Sequence, residues 1–231
     1  MRRKIVLVLV LFCLLIPQMT IAAAFDEHRA TAFMNITFEC GCKTTGTGAM
    51  VGRRGLITAG HNLFCQFHGR KLKKVSFLFG AKSTSSGAYR YNGGYKFWAY
   101  DTFQNGYDSR YDIGYVVFDK AVGNSTGWFA CRAGSDSYLN EEFSNVLNYS
   151  VKGKPENYFV VQYVANSQEI YFDGFIGYEA GEGGPVYFTH EGLEYPEVVA
   201  VYTHFDPSGN SVARRITNNI IEDMRADGAF D

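Results

Sequence analysis

The sequence is poor in several features that define whole classes of protein. Beyond residue 24, no run of basic residues exceeds two, as at Arg70-Lys71 and Lys73-Lys74, so the clustered positive charge that binds nucleic acid is missing. Beyond residue 24, no apolar stretch approaches the roughly 20 residues that a membrane-spanning helix needs. Only 5 prolines occur in 231 residues, and no repeat or low-complexity segment is visible. These absences exclude nucleic acid as a partner and favour an ordered globular body.

The first 24 residues have the organisation of a cleaved secretory signal peptide. Residues 2–4 are Arg-Arg-Lys, residues 5–16 are an unbroken apolar run of 12, and residues 22–24 are three alanines. We therefore predict a secreted protein, extracellular or periplasmic, whose mature chain spans residues 25–231. Without the signal peptide, 19 basic side chains face 23 acidic ones, a net charge of about −4. We expect no contact with membranes after cleavage.

Cysteine is scarce, with Cys13 in the signal peptide and four others beyond it. An even number in an exported chain predicts two disulfides, for which three pairings are possible. A zinc site is the competing interpretation, but Cys40 and Cys42 are closer than the usual two-to-four-residue spacing, and no His or Cys pair completes the site. We therefore predict disulfides among Cys40, Cys42, Cys65 and Cys131, and neither a metal nor a cofactor.

Glycine and aromatic residues are abundant, with 25 glycines and an aromatic content of 16%. This composition favours many short strands separated by tight turns. The strand candidates are residues 49–51, 56–58, 75–79, 113–118, 158–164, 169–172, 186–188 and 198–202. Apolar residues from Ile216 to Met224 recur at helical spacing, with Thr217 as cap and Gly228 just beyond the end. The pattern predicts an all-β body with a C-terminal helix, and both a sandwich and two barrels fit it.

Two segments carry a histidine and an aspartate in recognisable surroundings. Residues 46–52 read Gly-Thr-Gly-Ala-Met-Val-Gly, and residues 56–61 read Leu-Ile-Thr-Ala-Gly-His. Residues 111–119 read Tyr-Asp-Ile-Gly-Tyr-Val-Val-Phe-Asp, and residues 123–128 read Gly-Asn-Ser-Thr-Gly-Trp. These segments resemble the histidine and aspartate segments of trypsin-like serine proteases, and are most similar to the glutamyl endopeptidase branch that includes V8 protease. The resemblance implies that His61 is the base and Asp112 its orienting carboxylate.

A third segment departs from the family at the decisive position. Residues 180–187 read Ala-Gly-Glu-Gly-Gly-Pro-Val-Tyr, where the family has Gly-x-Ser-Gly-Gly-Pro before a strand. The resemblance therefore puts Glu182 at the nucleophile position, and Ala180 and Glu182 at the positions whose amides form the oxyanion hole. A carboxylate attacks amides poorly, and its acyl product would be an anhydride. We expect this site to be inactive, with His61 held between two carboxylates in a closed salt bridge or, alternatively, with the three residues holding a divalent metal.

The strand near the C-terminus resembles the pocket strand of the glutamyl endopeptidases, where a histidine binds the substrate carboxylate. Tyr202 occupies that place here, and His204 follows two residues later. Alternation along a strand puts these two side chains on one face. We expect Tyr202 and His204 to lie at the substrate pocket, without selectivity for glutamate.

The resemblance runs from about residue 46 to residue 224. It implies two antiparallel six-stranded β-barrels, chymotrypsin-like, with a cleft between them and a C-terminal α-helix. We expect barrel one at about 25–125, barrel two at about 126–215 and the helix at about 216–226. His61 and Asp112 would belong to barrel one, and Glu182 to barrel two.

Three functions follow from this interpretation. The leading expectation is a catalytically inactive, monomeric serine-protease homologue that binds a protein or peptide ligand in the inter-barrel cleft. The alternative is an active secreted serine-type endopeptidase or hydrolase with an atypical nucleophile. A third possibility is an exported structural protein that uses only the stability of the scaffold, because a fold alone does not define an activity.

Overall fold

A computed structural model describes residues 25–140, 143–164, 166–172, 181–189 and 194–231, so the predicted signal peptide lies outside the described residues. The strands are β1 (Thr31–Phe38), β2 (Lys43–Met50), β3 (Gly55–Thr58), β4 (Phe64–Cys65), β5 (Arg70–Phe79), β6 (Tyr89–Tyr91), β7 (Tyr95–Ala99), β8 (Gly114–Phe118), β9 (Ala130–Cys131), β10 (Phe143–Tyr149), β11 (Pro155–Val164), β12 (Glu169–Phe172), β13 (Pro185–Phe188), β14 (Glu197–Phe205) and β15 (Ser211–Arg215). The helices are α1 (Glu27–Ala30), α2 (Asp101–Gly106), α3 (Gly123–Thr126), α4 (Asp136–Asn140) and α5 (Asn218–Ala226), with short 3-10 turns at Gly60–Asn62 and Ser109–Tyr111.

The first sheet contains the strands up to β8. Its order is β4-β5-β1-β2-β3-β8-β7, with β6 paired to β5, and every pairing is antiparallel. Alternate residues of β1, such as Met34 and Ile36, point into an apolar core that also holds Phe77, Phe79 and Phe118. The sheet curls around this core as the first of two barrels.

The second sheet contains β9 to β15, in the order β13-β10-β11-β12-β15-β14-β9. A further pairing of β13 with β14 brings the ends of the order together, so that six antiparallel strands form a ring and β9 adds a short parallel edge. Val146, Ile170, Phe172 and Val199 fill the core of this second barrel.

A third apolar cluster joins the two barrels. It combines Ile57 and Val117 of the first sheet with Val201 of the second, and α5 contributes Ile220 and Met224. These side chains are all buried, so the barrels pack on each other through a continuous apolar layer. The cleft described below opens beside this layer, where residues of both sheets meet.

The predicted fold class, two chymotrypsin-like barrels with a C-terminal helix, is confirmed. The helix begins at Asn218 with Thr217 at its N-cap, two residues later than predicted, because residues up to Arg215 belong to β15. The structure also contains strands that the sequence pattern did not single out: β1, β4, β6, β7, β9, β10 and β15. In the part of the chain that is described, no helix is long and apolar enough to cross a membrane.

Candidate active site

His61 lies in the short 3-10 turn that follows β3, and Asp112 follows the turn Ser109–Tyr111 that leads into β8. Because β3 pairs with β8, the two segments emerge side by side. Asp112 holds the histidine at two points: its Oδ2 is 2.7 Å from His61 Nδ1, and its Oδ1 accepts the His61 backbone N–H at 2.8 Å. The Asp112 carboxylate is 3% exposed. The double contact therefore fixes both the position of the imidazole and the orientation of its ring.

Glu182 approaches the other ring nitrogen from the second barrel. Its Oε2 is 3.0 Å from His61 Nε2, which is within ion-pair distance. The contact does not have the geometry of a hydrogen bond. The Glu182 side chain is 33% exposed, whereas the side chains of His61 and Asp112 are 11% and 4% exposed. The structure thus brings the three predicted site residues together, with His61 between two carboxylates.

The backbone at Glu182 is held from the first barrel. Its carbonyl accepts hydrogen bonds from Thr47 N at 2.9 Å and from Asn62 Nδ2 at 3.0 Å. The buried Asn62 also donates to Thr58 Oγ1. Sequence analysis did not single out Asn62, although it directly follows His61 in the chain. It ties the histidine turn to the segment that carries Glu182.

Two glycines make the close approach at Glu182 possible. Gly183 has a φ of 93°, in the left-handed region that favours glycine, and an added Cβ would collide with the Thr47 carbonyl oxygen. A Cβ at Gly184 would collide with the Asn148 side chain. The Gly-Gly pair of the motif is therefore required sterically. Ala180, the other residue predicted at the oxyanion hole, lies outside the described residues.

The two carboxylates control the charge of His61. Burial disfavours the imidazolium and lowers its pKa, but Asp112 and, after it, Glu182 outweigh this effect and raise the pKa of His61 to about 10. The ordinary value is 6.5. The ring is therefore positively charged at neutral pH and forms ion pairs with both carboxylates.

An open cleft of about 590 Å³ lies in front of these residues. His61, Asp112 and Glu182 lie along it, together with Thr203 and His204 of β14 and with Cys42 and Cys65 of the first barrel. The volume falls within the roughly 300–1,000 Å³ that ligand sites occupy. The cleft therefore has the size of a binding site and contains the His61 cluster.

Tyr202 and His204 do not share a face as predicted. The pairing of β14 with β15 shifts register between these residues, and the Tyr202 ring packs edge-to-face against Phe205 in the core of the second barrel. Tyr202 is 1% exposed, whereas His204 lies on the cleft and its Nδ1 is 3.0 Å from Thr203 Oγ1. The expectation of a shared face was wrong because the irregularity breaks the alternation along the strand.

The predicted disulfides are absent from the structure, in which Cys40, Cys42, Cys65 and Cys131 are all free thiols. Cys131 lies on β9 of the second sheet and is not among the thiols that gather near the β1–β2 turn. The other three cluster with His68. The premise that no further ligand completes a metal site at Cys40 and Cys42 was therefore wrong.

Comparison with known proteins places the fold. No family model matches the chain. A Bacillus subtilis (strain 168) protein named extracellular metalloprotease is 26% identical over 208 residues, which cover 86% of this chain. The chain spans 63% of the length of that curated relative.

Solved structures are more alike in shape than in sequence. A Glu endopeptidase solved in complex with MPD superposes with a TM-score of 0.73 at 17% identity, covering 89% of this chain and 93% of the other. A thermostable serine protease from an extremophilic microorganism gives 0.71 at 10% identity, covering 88% and 99%. An inactivated protease paralogue of the scabies mite gives 0.67 at 11% identity, covering 88% and 97%. The chain therefore has the double-barrel fold of chymotrypsin-like serine proteases.

Proposed function

We propose that the protein is a secreted serine-protease homologue in which Glu182 replaces the nucleophilic serine, and that it binds proteins or peptides without cleaving them. The observation that carries the proposal is the 3.0 Å contact between Glu182 Oε2 and His61 Nε2. In a working triad that nitrogen removes the proton from the serine hydroxyl. Here it faces a carboxylate, which has no hydroxyl proton to give.

The protonation state of His61 also argues against catalysis. A general base must be neutral at the working pH, and efficient bases have pKa values close to it. With a pKa of about 10, His61 carries its proton throughout the neutral range. The histidine is therefore a poor general base, both for a nucleophile that takes the place of the serine and for a water molecule.

A charge at residue 182 also opposes the stabilisation that acyl transfer needs. The tetrahedral intermediate is an oxyanion, which proteases bind with backbone amides beside the nucleophile. A Glu182 carboxylate next to the amides proposed for this role, at Ala180 and Glu182, would repel a second negative charge. The resemblance to proteases thus persists in the backbone, while the side-chain chemistry opposes the reaction.

The cleft supports the binding part of the proposal. It is open, about 590 Å³ in volume, and runs between side chains of both barrels. We propose that a peptide segment of a protein ligand lies there, with His204 rather than the buried Tyr202 available for contact, and without selectivity for glutamate. The Bacillus relative is called an extracellular metalloprotease, which is in keeping with secretion, and the scabies mite protein is called an inactivated protease paralogue, which is in keeping with the loss of cleavage.

Peptide hydrolysis tests the proposal. The purified protein is compared with Glu182→Ser on a mixed peptide library, with Glu182→Ser/His61→Ala as the control. We expect the wild type to match the control and Glu182→Ser to exceed both by about 10³-fold or more, since triad residues act as a unit. The peptides that Glu182→Ser cleaves are then titrated into the wild type, where binding without turnover is expected.

Two outcomes would contradict the proposal. Hydrolysis by the wild type that disappears on His61→Ala would establish an active peptidase with an atypical nucleophile. A wild type that neither cleaves nor binds the peptides cleaved by Glu182→Ser would leave the cleft without a role in recognition.

A further inference from the structure

Three thiols and an imidazole gather at one end of the first barrel. The ligand atoms of Cys40, Cys42, Cys65 and His68 all lie within 4.8 Å of one another. His68 Nδ1 is 3.4 Å from Cys42 Sγ and 3.5 Å from Cys65 Sγ. Cys65 is buried, Cys42 is half-buried, and Cys40 and His68 are exposed. The group is unrelated to the contacts of His61 with its two carboxylates.

The strand pairings of the first sheet create this cluster. Cys40 and Cys42 lie in and beside the turn between β1 and β2, where Gly41 has a φ of 87°. Cys65 ends β4, and the turn after it carries His68; both the His68 and Gly69 N–H groups donate to the Cys65 carbonyl. Because β5 pairs with both β1 and β4, the two turns lie side by side. A Glu39 N–H to Lys71 carbonyl hydrogen bond joins them further.

We propose that Cys40, Cys42, Cys65 and His68 bind one zinc ion. Zinc–sulfur bonds are about 2.3 Å and zinc–nitrogen bonds about 2.0–2.1 Å, so a tetrahedral centre separates sulfur from nitrogen by about 3.5 Å. The two sulfur–nitrogen distances, 3.4 and 3.5 Å, agree with this value. Three cysteines and one histidine are also among the common ligand sets of structural zinc sites.

A disulfide accounts for the cluster less well. Three thiols are present, so one disulfide leaves an unpaired thiol, and Cys131 lies in the other barrel. A disulfide also gives no reason for the His68 Nδ1 to face two sulfurs at once. Zinc uses all four groups: each thiol releases its proton to solvent, each thiolate and the neutral imidazole donate a lone pair, and no oxidant is needed.

The surroundings suit the charge of such a centre. Three thiolates and Zn²⁺ carry a net charge of −1. Lys43 follows Cys42 in the chain, Arg70 pairs with Cys65 across the β4–β5 ladder, and Lys71 is hydrogen-bonded through its carbonyl to the neighbouring turn. A centre with a net charge of −1 would therefore lie in a part of the chain that is rich in basic residues. Cys65 is four residues beyond His61, and both residues line the cleft. The zinc ion would therefore stabilise one side of the proposed binding site.

Metal content tests the proposal. The protein is expressed from the full 231-residue sequence, purified without reductant in the presence of zinc and dialysed. We expect one zinc per chain by mass spectrometry, with zinc lost in Cys42→Ser and in Cys65→Ser. Cys131→Ser is the matched control and retains the metal, and His68→Cys retains it as well because cysteine supplies an equivalent ligand. Cobalt substitution is expected to give the visible absorption of a tetrahedral thiolate site.

A second measurement on the wild type covers variants that fail to fold. Iodoacetamide is added to the folded protein before and after zinc is removed with a chelator, and modified cysteines are mapped by mass spectrometry. We expect Cys40 and Cys42 to react only after chelation. A zinc-free protein, a disulfide within the cluster, equal zinc content in Cys42→Ser and the wild type, or alkylation that is indifferent to chelation would each overturn the proposal.

Discussion

The two polar clusters on the cleft are built in different ways. The His61 cluster draws on three segments spread over 121 residues and on both barrels, whereas the thiol cluster comes from two neighbouring turns of one barrel. In the first, Asp112 is buried and forms an ion pair with the histidine; in the second, Cys40 and His68 are exposed. The first cluster is therefore closed around its own charges. The second brings three sulfur atoms and one imidazole together, a set of ligand atoms that suits a site completed by a metal.

The largest expected effect concerns the backbone under the His61 cluster. Gly183→Ala puts a Cβ against the Thr47 carbonyl oxygen at a φ of 93°. The steric clash and the backbone strain therefore both destabilise the folded state. We expect it to lower the free energy of unfolding by about 3 kcal/mol or more. Urea denaturation followed by fluorescence measures this.

Gly41→Ala in the turn of the thiol cluster is the matched control. Gly41 has a similar φ of 87°, but nothing lies within 4 Å of an added Cβ. Only the backbone strain remains, and we expect a loss of about 1 kcal/mol. If the two variants lost equal free energy of unfolding, the close contact with Thr47 would not contribute to the cost of Gly183→Ala.

A smaller effect is expected when the buried carboxylate is neutralised. Asp112→Asn removes the strongest influence that raises the pKa of His61, which is about 10 in the wild type. The folded value lies above the ordinary 6.5, so the contribution of His61 to stability is complete below about pH 6.5 and is lost as pH rises through about 10. We expect Asp112→Asn to cost about 2 kcal/mol at pH 6 and to flatten this decline. Denaturation at a series of pH values checks this prediction. If the free energy of unfolding declined as steeply with pH in Asp112→Asn as in the wild type, groups other than His61 would cause the decline.

The smallest effect is expected at the partly exposed carboxylate. Glu182→Gln removes the second influence on His61, but the Glu182 side chain is 33% exposed and its charge is screened by solvent. We expect the pKa of His61 to fall by less than in Asp112→Asn. NMR titration of the imidazole in both variants ranks the two carboxylates, and a larger fall in Glu182→Gln would reverse the order inferred from burial.

The sequence allowed the fold class and the His61 cluster to be predicted because short motifs carried them. The segments around His61, Asp112 and Glu182 match a known architecture, and that architecture implies which distant segments meet. The thiol cluster was not predicted because Cys40 and Cys42 are closer than the usual zinc-ligand spacing, and because Cys65 and His68 do not form a recognisable ligand pair in the sequence. Their proximity to Cys65 and His68 follows from the register of β1 and β4 on β5, which a single sequence does not reveal. Tyr202 was misplaced for a related reason, since a shift in strand register leaves no clear mark in composition.

The hydrogen bonds at residue 182 have an evolutionary consequence. The carbonyl of Glu182 joins the two barrels through Thr47 and Asn62, and these bonds involve only its main chain. The contact between the barrels at this point therefore depends on a main-chain carbonyl that every amino acid supplies, and not on the side chain attached to it. We therefore expect a lineage to exchange the side chain at residue 182 at little cost to folding.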